Sequence, residues 1–353
     1  MNSVLRYSVW HPLWVALFMS IVSIAHAAPV GSALERPSVV TTMAARSYLL
    51  GIAQAGERLV AVGERGIVVL SDDAGVNWRQ VQAPVSVTLT AVRFADAMHG
   101  YAVGHGGSVL VTTDAGETWT LSLDGRRAAE IVLAAAREKG DARSVSDAER
   151  LVADGPDKPF LDVLVLDPLN AIAVGAYGLA LATADGGKSW SSWGDRIPNP
   201  RAFHLNVIRG HGQKIIIVGE QGLVRISEDG GATFAVVQTP YRGSYFTAEM
   251  PSENVIVVAG LRGNALRSGD GGKTWASLAS PVEASITASA IQPDGQLVLV
   301  NQAGLVMHEQ GGSLVPINTR PLPPLNGVLA ASNAGIFVLS QQGVAVVHSG
   351  DKK

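Results

Sequence analysis

The chain has 353 residues, 47% of them hydrophobic, only 16% charged and 6% aromatic, with 39 glycines and a formal net charge of −3. A near-neutral balance gives no basic excess for nucleic acid, and the absence of cysteine excludes disulfides, Cys-based zinc sites, thiol catalysis and a lipid-modified cysteine. So many glycines with so few charges fit a tightly turned β protein of many short strands.

At the N-terminus, Arg6 precedes an apolar run over 13–24 and then Ala25-His26-Ala27. A positive flank, an apolar stretch and a small-residue cleavage site form a secretory leader. Cleavage is expected before Ala28, leaving residues 28–353 as a single exported, periplasmic domain. No stable membrane insertion is expected after cleavage, because later apolar runs are broken by glycine every few residues.

Beyond the leader, one stretch recurs. AVGERGIVVLSDDAGVNW (61–78), AVGHGGSVLVTTDAGETW (102–119), AVGAYGLALATADGGKSW (173–190), IVGEQGLVRISEDGGATF (217–234) and VAGLRGNALRSGDGGKTW (258–275) align without a gap. Their aspartates, Asp73, Asp114, Asp185, Asp229 and Asp270, are spaced 41, 71, 44 and 41 residues apart. Weaker copies at 300–314 and 339–350 bring the total to seven units. A period near 40 with four short strands per unit predicts an all-β, seven-bladed β-propeller. In the second unit the strands are expected at LTAVRFAD, GYAVG, SVLVTT and TWTLSL, named A to D from the centre outward. The last unit runs out after strand C, so Arg36–Ala45 is expected to form the outermost strand of blade seven and close the ring.

The long spacing between the second and third aspartates holds an insertion at about 125–160. RRAAEIVLAAAREKG (126–140) predicts a helix stopped by Gly140, and Ser146-x-x-Glu149 is a capping box for a second helix ending at Gly155-Pro156. A helical hairpin overhanging the channel mouth is expected, as a partner-binding element or lid.

The repeated motif has a phosphate-loop and a metal-site alternative. No helix follows Gly104-His105-Gly106-Gly107, so the phosphate-loop context is missing; a tight hairpin between strands B and C fits. The S/T-x-D-x-G-x-T-W half resembles the Asp-box of BNR-repeat propellers. Its aspartate can accept hydrogen bonds from its own turn, its glycine supplies positive φ, and its aromatic packs between blades. Asp73, Trp78, Asp114, Trp119, Asp185, Trp190, Asp229, Phe234, Asp270 and Trp275 are therefore assigned to structure, with no metal and no cofactor.

Function is expected where the repeat is irregular. B–C turns and D–A connections share one face, which gathers eight arginines: Arg65, Arg126, Arg127, Arg196, Arg201, Arg242, Arg262 and Arg320. With Tyr177, Phe203, Tyr241 and Tyr245 this face suits a partner bearing carboxylates and apolar groups. The partner-binding candidates are Arg65, Tyr177, Arg196, Arg201, Tyr241, Arg242, Arg262 and Arg320.

The Asp-box copies, the G-x-x-G turns and Leu261-Arg262-Gly263-Asn264 together resemble the photosystem II stability/assembly-factor propeller family, over roughly residues 36–350. The resemblance implies a non-enzymatic chaperone that holds a membrane-protein segment, partly through an arginine patch, and Arg262 and Arg65 match the family's x-R-G turns. The helical insertion and the missing lipid-anchor cysteine depart from that pattern. They favour a monomeric periplasmic accessory factor for an inner-membrane complex or exported protein over a photosystem client. The competing readings are a sialidase-like glycoside hydrolase and a glycan-binding propeller. Arg196-Ile197-Pro198 echoes a sialidase motif, but it follows the third Asp-box instead of preceding the first, and no nucleophile pair or acid aspartate is assignable, so no catalytic residue is named.

Overall fold

The computed structural model of the protein describes residues 31–331 and 335–347; the expected leader, residues 1–27, lies outside them. The described chain forms six four-stranded sheets and one three-stranded sheet, and within each the strands pair antiparallel in chain order. The second blade runs Leu89–Phe94, Gly100–Gly104, Ser108–Thr112 and Thr120–Leu123, the four stretches read from the repeat. The A strand of each blade packs against that of the next, and Leu49–Ala55 of blade one packs against Leu325–Ala331 of blade seven. The result is a closed seven-bladed propeller.

The G-x-x-G turns follow from close packing. A Cβ on Gly63, Gly104, Gly175, Gly219 or Gly260 would collide with the backbone carbonyl just before strand A of the same blade. The A strand has a register break beside this glycine in blades one to five, as between Leu89 and Ala91, and at the matching place in blades six and seven, where Asn301 and Ser340 stand instead. The core lies between blades. Val60, Val62, Val68 and Leu70 of blade one interlock with Leu89, Val92, Ala102, Leu110 and Trp119 of blade two. Phe234 meets blade three, Trp275 blade four and Trp78 blade seven in the same way, so the Asp-box aromatics do bridge neighbouring blades.

Ring closure differs from the expectation. Among the described residues blade seven has three strands, Leu325–Ala331, Gly335–Ser340 and Gly343–Val347. Arg36–Ala45 is not its fourth strand; it runs along the outer edge of blade one. Ser38 N donates to Ala83 O at 2.9 Å, Gln80 Nε2 to Val39 O at 3.0 Å, and Thr41 N to Gln80 Oε1 at 2.7 Å. Gln82 Nε2 adds a bond to Ser38 O at 3.0 Å. Pro37 has no N–H to give a ladder, and glutamine side chains satisfy this backbone instead. The segment then turns through Ala44–Arg46, with Ala44 buried between blades seven and one.

The insertion is a helical hairpin: α1 (Gly125–Lys139) and α2 (Ala142–Asp154). Asp124 caps α1 by accepting from Arg127 N at 2.9 Å, and Gly140, at φ 74, ends it. The second helix starts a turn before Ser146. Asp141 is its cap, accepting from Ser144 N at 2.8 Å and Ser144 Oγ at 2.6 Å, which leaves Ser146 and Glu149 inside the helix. Neither helix contributes to the lining of the central channel cavity. α1 packs on the B–C turn of blade two and on Ser191–Ser192, the outermost strand of blade three, with Ala128 in the core between blades two and three and Lys139 paired to Asp195 at 3.2 Å.

Candidate partner-binding face and central channel

In the Asp-box turns each carboxylate is consumed locally. Asp270 Oδ1 accepts from Thr274 N at 2.8 Å and from Ser268 Oγ at 2.8 Å, and its Oδ2 from Thr274 Oγ1 at 2.6 Å. The Ser268 hydroxyl in turn accepts from Gly272 N at 2.8 Å. Asp73, Asp114, Asp185 and Asp229 repeat the arrangement. Hydroxyl and backbone donors hold Asp185, Asp229 and Asp270 at pKa values of about 2: the Ser189 hydroxyl leads for Asp185, the Thr233 N–H for Asp229 and the Thr274 hydroxyl for Asp270. The glycine two residues after the aspartate, Gly75, Gly116, Gly187, Gly231 or Gly272, is at positive φ in every turn, and in all but Gly116 an added Cβ would clash. A Cβ on Gly231, at φ 85, would strike the Trp193 ring of blade three. Trp78, Trp119 and Trp275 donate their indole N–H back to the carbonyl of that glycine, while Trp190 donates to Ser122 Oγ at 2.9 Å. Among the described residues no group of three or more His, Cys, Asp or Glu side chains is placed to hold a metal ion.

The opposite face is built from one-turn 3₁₀ segments at the B–C corners. Four of these hold a non-glycine residue in the left-handed region: Arg65 (φ 53), Tyr177 (φ 57), Gln221 (φ 52) and Arg262 (φ 57). That conformation costs roughly 1–2 kcal/mol for a residue with a Cβ. Arg65, Arg201, Arg242, Arg262 and Arg320 are exposed here, and none of them has an ion-pair partner among the described residues.

Two subclusters form. Between blades three and four, Tyr177 is 59% exposed, with its ring 4.9 Å from that of His204 and Lys158 5.3 Å from its centroid. His204 pairs with Glu220 at 3.0 Å, and Arg201 lies over Phe203 at 4.9 Å. Between blades four and five, the Tyr241 hydroxyl donates to Leu261 O at 3.1 Å, beside Arg262. Burial pushes the Tyr241 phenol up, against the pull of the Arg262 charge. Arg65 and Arg320 stand on other blades of the same face.

Two residues leave the expected patch. Tyr245 is fully buried, its hydroxyl 2.7 Å from Thr239 Oγ1, and burial pushes its pKa up to about 12. Arg196 stacks on Trp193 at 5.1 Å and donates to Gly231 O, in the Asp-box turn of blade four, at 3.4 Å. The outer strand of blade three is only two residues long, so the connection bearing Arg196 starts near the Asp-box end of the blade.

Sequence reading missed a charged network in the central channel, a cavity of about 150 Å³ lined by the A strands of all seven blades. Asp162 of blade three pairs with Arg209 of blade four, accepts from Ile208 N at 3.1 Å, and lies 3.5 Å from Arg93 Nη2 of blade two. Arg209 Nε is 3.7 Å from Glu249 of blade five, which accepts from Ser289 Oγ of blade six at 3.1 Å. Burial raises the Glu249 pKa, opposed by Arg209 and Arg93. Burial lowers Arg93, helped by repulsion from Arg209. Both carboxylates are tied to Arg209. The missed signal was a charge four residues after the first buried residue of strand A, as in Leu89 to Arg93, Leu205 to Arg209 and Tyr245 to Glu249.

The architecture and its repeated turns define an Asp-box propeller with one face whose box carboxylates are bonded within their own turns and one that exposes five arginines without an ion pair among the described residues. The profile of the family described as photosynthesis system II assembly factor YCF48 matches residues 70–146 and 146–307, and the chain belongs to that family. Three solved structures share the fold. YCF48 bound to a D1 peptide and YCF48 from Cyanidioschyzon merolae each align with TM-score 0.64 and 15% identity; both alignments cover 88% of this chain, and 96% and 97% of those chains respectively. The WD40 β-propeller domain of Doa1 aligns at TM-score 0.60 and 12% identity, over 88% of this chain and 95% of that one. No curated protein matches the chain. Among the described residues no helix is long and apolar enough to cross a membrane.

Proposed function

We propose that this protein is a non-enzymatic, monomeric assembly or accessory factor. It works in the periplasm and holds an extended segment of a membrane-protein partner on its B–C and D–A face. Membership of an assembly-factor family supports the role, and a fold neighbour described as bound to a D1 peptide supports a peptide-like partner. The leader read from the sequence supports export, with residues 28–353 as the mature domain.

The observation that carries the reading is the pairing of strain with unpaired charge. Arg65 and Arg262 are held at positive φ, exposed, with no ion pair among the described residues. Backbone strain that the rest of the fold sustains marks a place where side-chain position matters. Planar guanidiniums suit carboxylates, and Leu261, next to Arg262, and Tyr177, on the same face, supply exposed apolar surface. The binding segment is therefore acidic, with aliphatic or aromatic residues between its carboxylates.

The test is crosslinking capture from the native envelope, with the mature protein beside a variant carrying Arg65→Ala, Arg242→Ala and Arg262→Ala. One inner-membrane protein enriched by the wild type and lost with the variant is the expected result. Equal capture by both, or none by either, overturns the reading and directs attention to glycan binding.

A further inference from the structure

Val39, Val40 and Met43 are 78%, 59% and 54% exposed, among the most exposed large apolar side chains of the described protein. They stand together on the segment that replaces the expected closing strand. That segment is not loose. Gln80 bonds it twice and Gln82 once, Ser38 is buried with its hydroxyl accepting from Ala83 N at 2.9 Å, and Ala44 is buried at the other end. Anchored at both ends, it presents Val39-Val40-Thr41-Thr42-Met43 outward in a fixed form, so little ordering entropy would be lost on contact.

Charge says what that contact is. Arg36 and Arg46 flank the apolar residues, both exposed, and neither forms an ion pair among the described residues. The neighbouring carboxylates are engaged: Glu35 by Arg126 at 3.2 Å, and Glu64 by the Tyr48 N–H at 3.3 Å. An apolar strip between two exposed arginines matches the interface of a bilayer with anionic headgroups, where aliphatic side chains enter the acyl boundary and arginines meet phosphates. A twofold contact between copies through this strip would bring the same arginines toward one another, which disfavours self-association.

We propose that residues 36–46 dock the propeller edge-on to an anionic lipid surface, blade one against the membrane. The loop face then stands free at the membrane's side. This rests on the reading that the protein serves a membrane-embedded partner, and it adds where the protein waits for that partner.

The experiment is co-sedimentation of residues 28–353 with vesicles of phosphatidylcholine, with and without about a third of phosphatidylglycerol, across a salt series. Binding is expected only with phosphatidylglycerol, weakening with salt. Arg36→Ala or Arg46→Ala should each lower it about fivefold. The combined Val39→Ser, Val40→Ser and Met43→Ser variant should lower it at least tenfold. These are exposed positions, and an unchanged melting temperature would show the fold intact. No binding by the wild type, equal binding by the serine variant, or a change confined to self-association in sedimentation velocity overturns the proposal. The loop-face triple arginine variant separates the two readings: it should keep vesicle binding while losing the partner. Loss of vesicle binding in that variant would place the membrane contact on the loop face and defeat the assignment to residues 36–46.

Discussion

The two faces of the ring are made from short turns repeated from blade to blade, yet they treat their arginines differently. On the Asp-box face Arg58 pairs with Asp72 at 2.5 Å and with Glu117 at 2.8 Å, Arg79 binds Glu117, and each box aspartate is bonded within its own turn. On the other face five arginines stand exposed without an ion pair among the described residues. Carboxylates consumed within their own turns have little to offer a ligand. The exposed arginines of the other face have no such local partner, and the proposed function assigns them to a binding partner.

The comparison can be broken most severely in the interior, where the paired chemistry is buried. Asp162→Ala would leave Arg209 and Arg93 beside one remaining carboxylate, at a site where Asp162 is 3% exposed. Removing one partner of a buried pair costs about 3–5 kcal/mol, and chemical denaturation should show a loss of that size. A loss below about 1 kcal/mol would mean the channel is wet enough to screen the network.

Next comes Gly231→Ala on the Asp-box face. The added methyl meets the Trp193 ring, and φ 85 disfavours any side chain. Overpacking and backbone strain together should cost about 2–3 kcal/mol, seen as a lower melting temperature with an unchanged denaturant slope.

Acid gives a smaller, graded test. Asp185, Asp229 and Asp270 have folded values of about 2, below their ordinary 3.8. Their contribution is present above about pH 4 and is lost as pH falls through 2. Glu249 has the opposite sign: its raised folded value favours the fold at low pH and is lost as pH rises through it. The melting temperature should therefore fall steeply only below pH 4, and a combined asparagine variant at the three aspartates should flatten that limb.

The smallest effect on stability belongs to the loop face. Arg262→Ala should change unfolding free energy by less than about 0.5 kcal/mol while weakening partner capture. A residue that stabilises its own fold would show the reverse.

Blades and turns were legible because backbone geometry dictates residue type there: glycine where a carbonyl or a neighbouring ring leaves no room, and a short polar acceptor where a turn needs one. Contacts between elements distant in sequence were not. The segment expected to close the ring is placed along blade one by the side chains of Gln80 and Gln82, some forty residues away, which no local pattern announces. Arg196 was misplaced because the two-residue length of the preceding strand sets where its side chain emerges. The channel network spans blades two to six, and each of its residues looks like an isolated polar interruption within its own strand. Asp141 displaced the expected capping box because a suitable acceptor directly after Gly140 captures the helix start first.

The most direct test of the central claim places a photo-crosslinking residue at one position per variant. Tyr177 and Leu261 represent the loop face, and Val76, 78% exposed, represents the Asp-box face. Irradiation in the native envelope should yield the same partner adduct from Tyr177 and Leu261 and none from Val76. An adduct from Val76 alone, or equal adducts from both faces, would contradict the assignment of partner binding to the loop face.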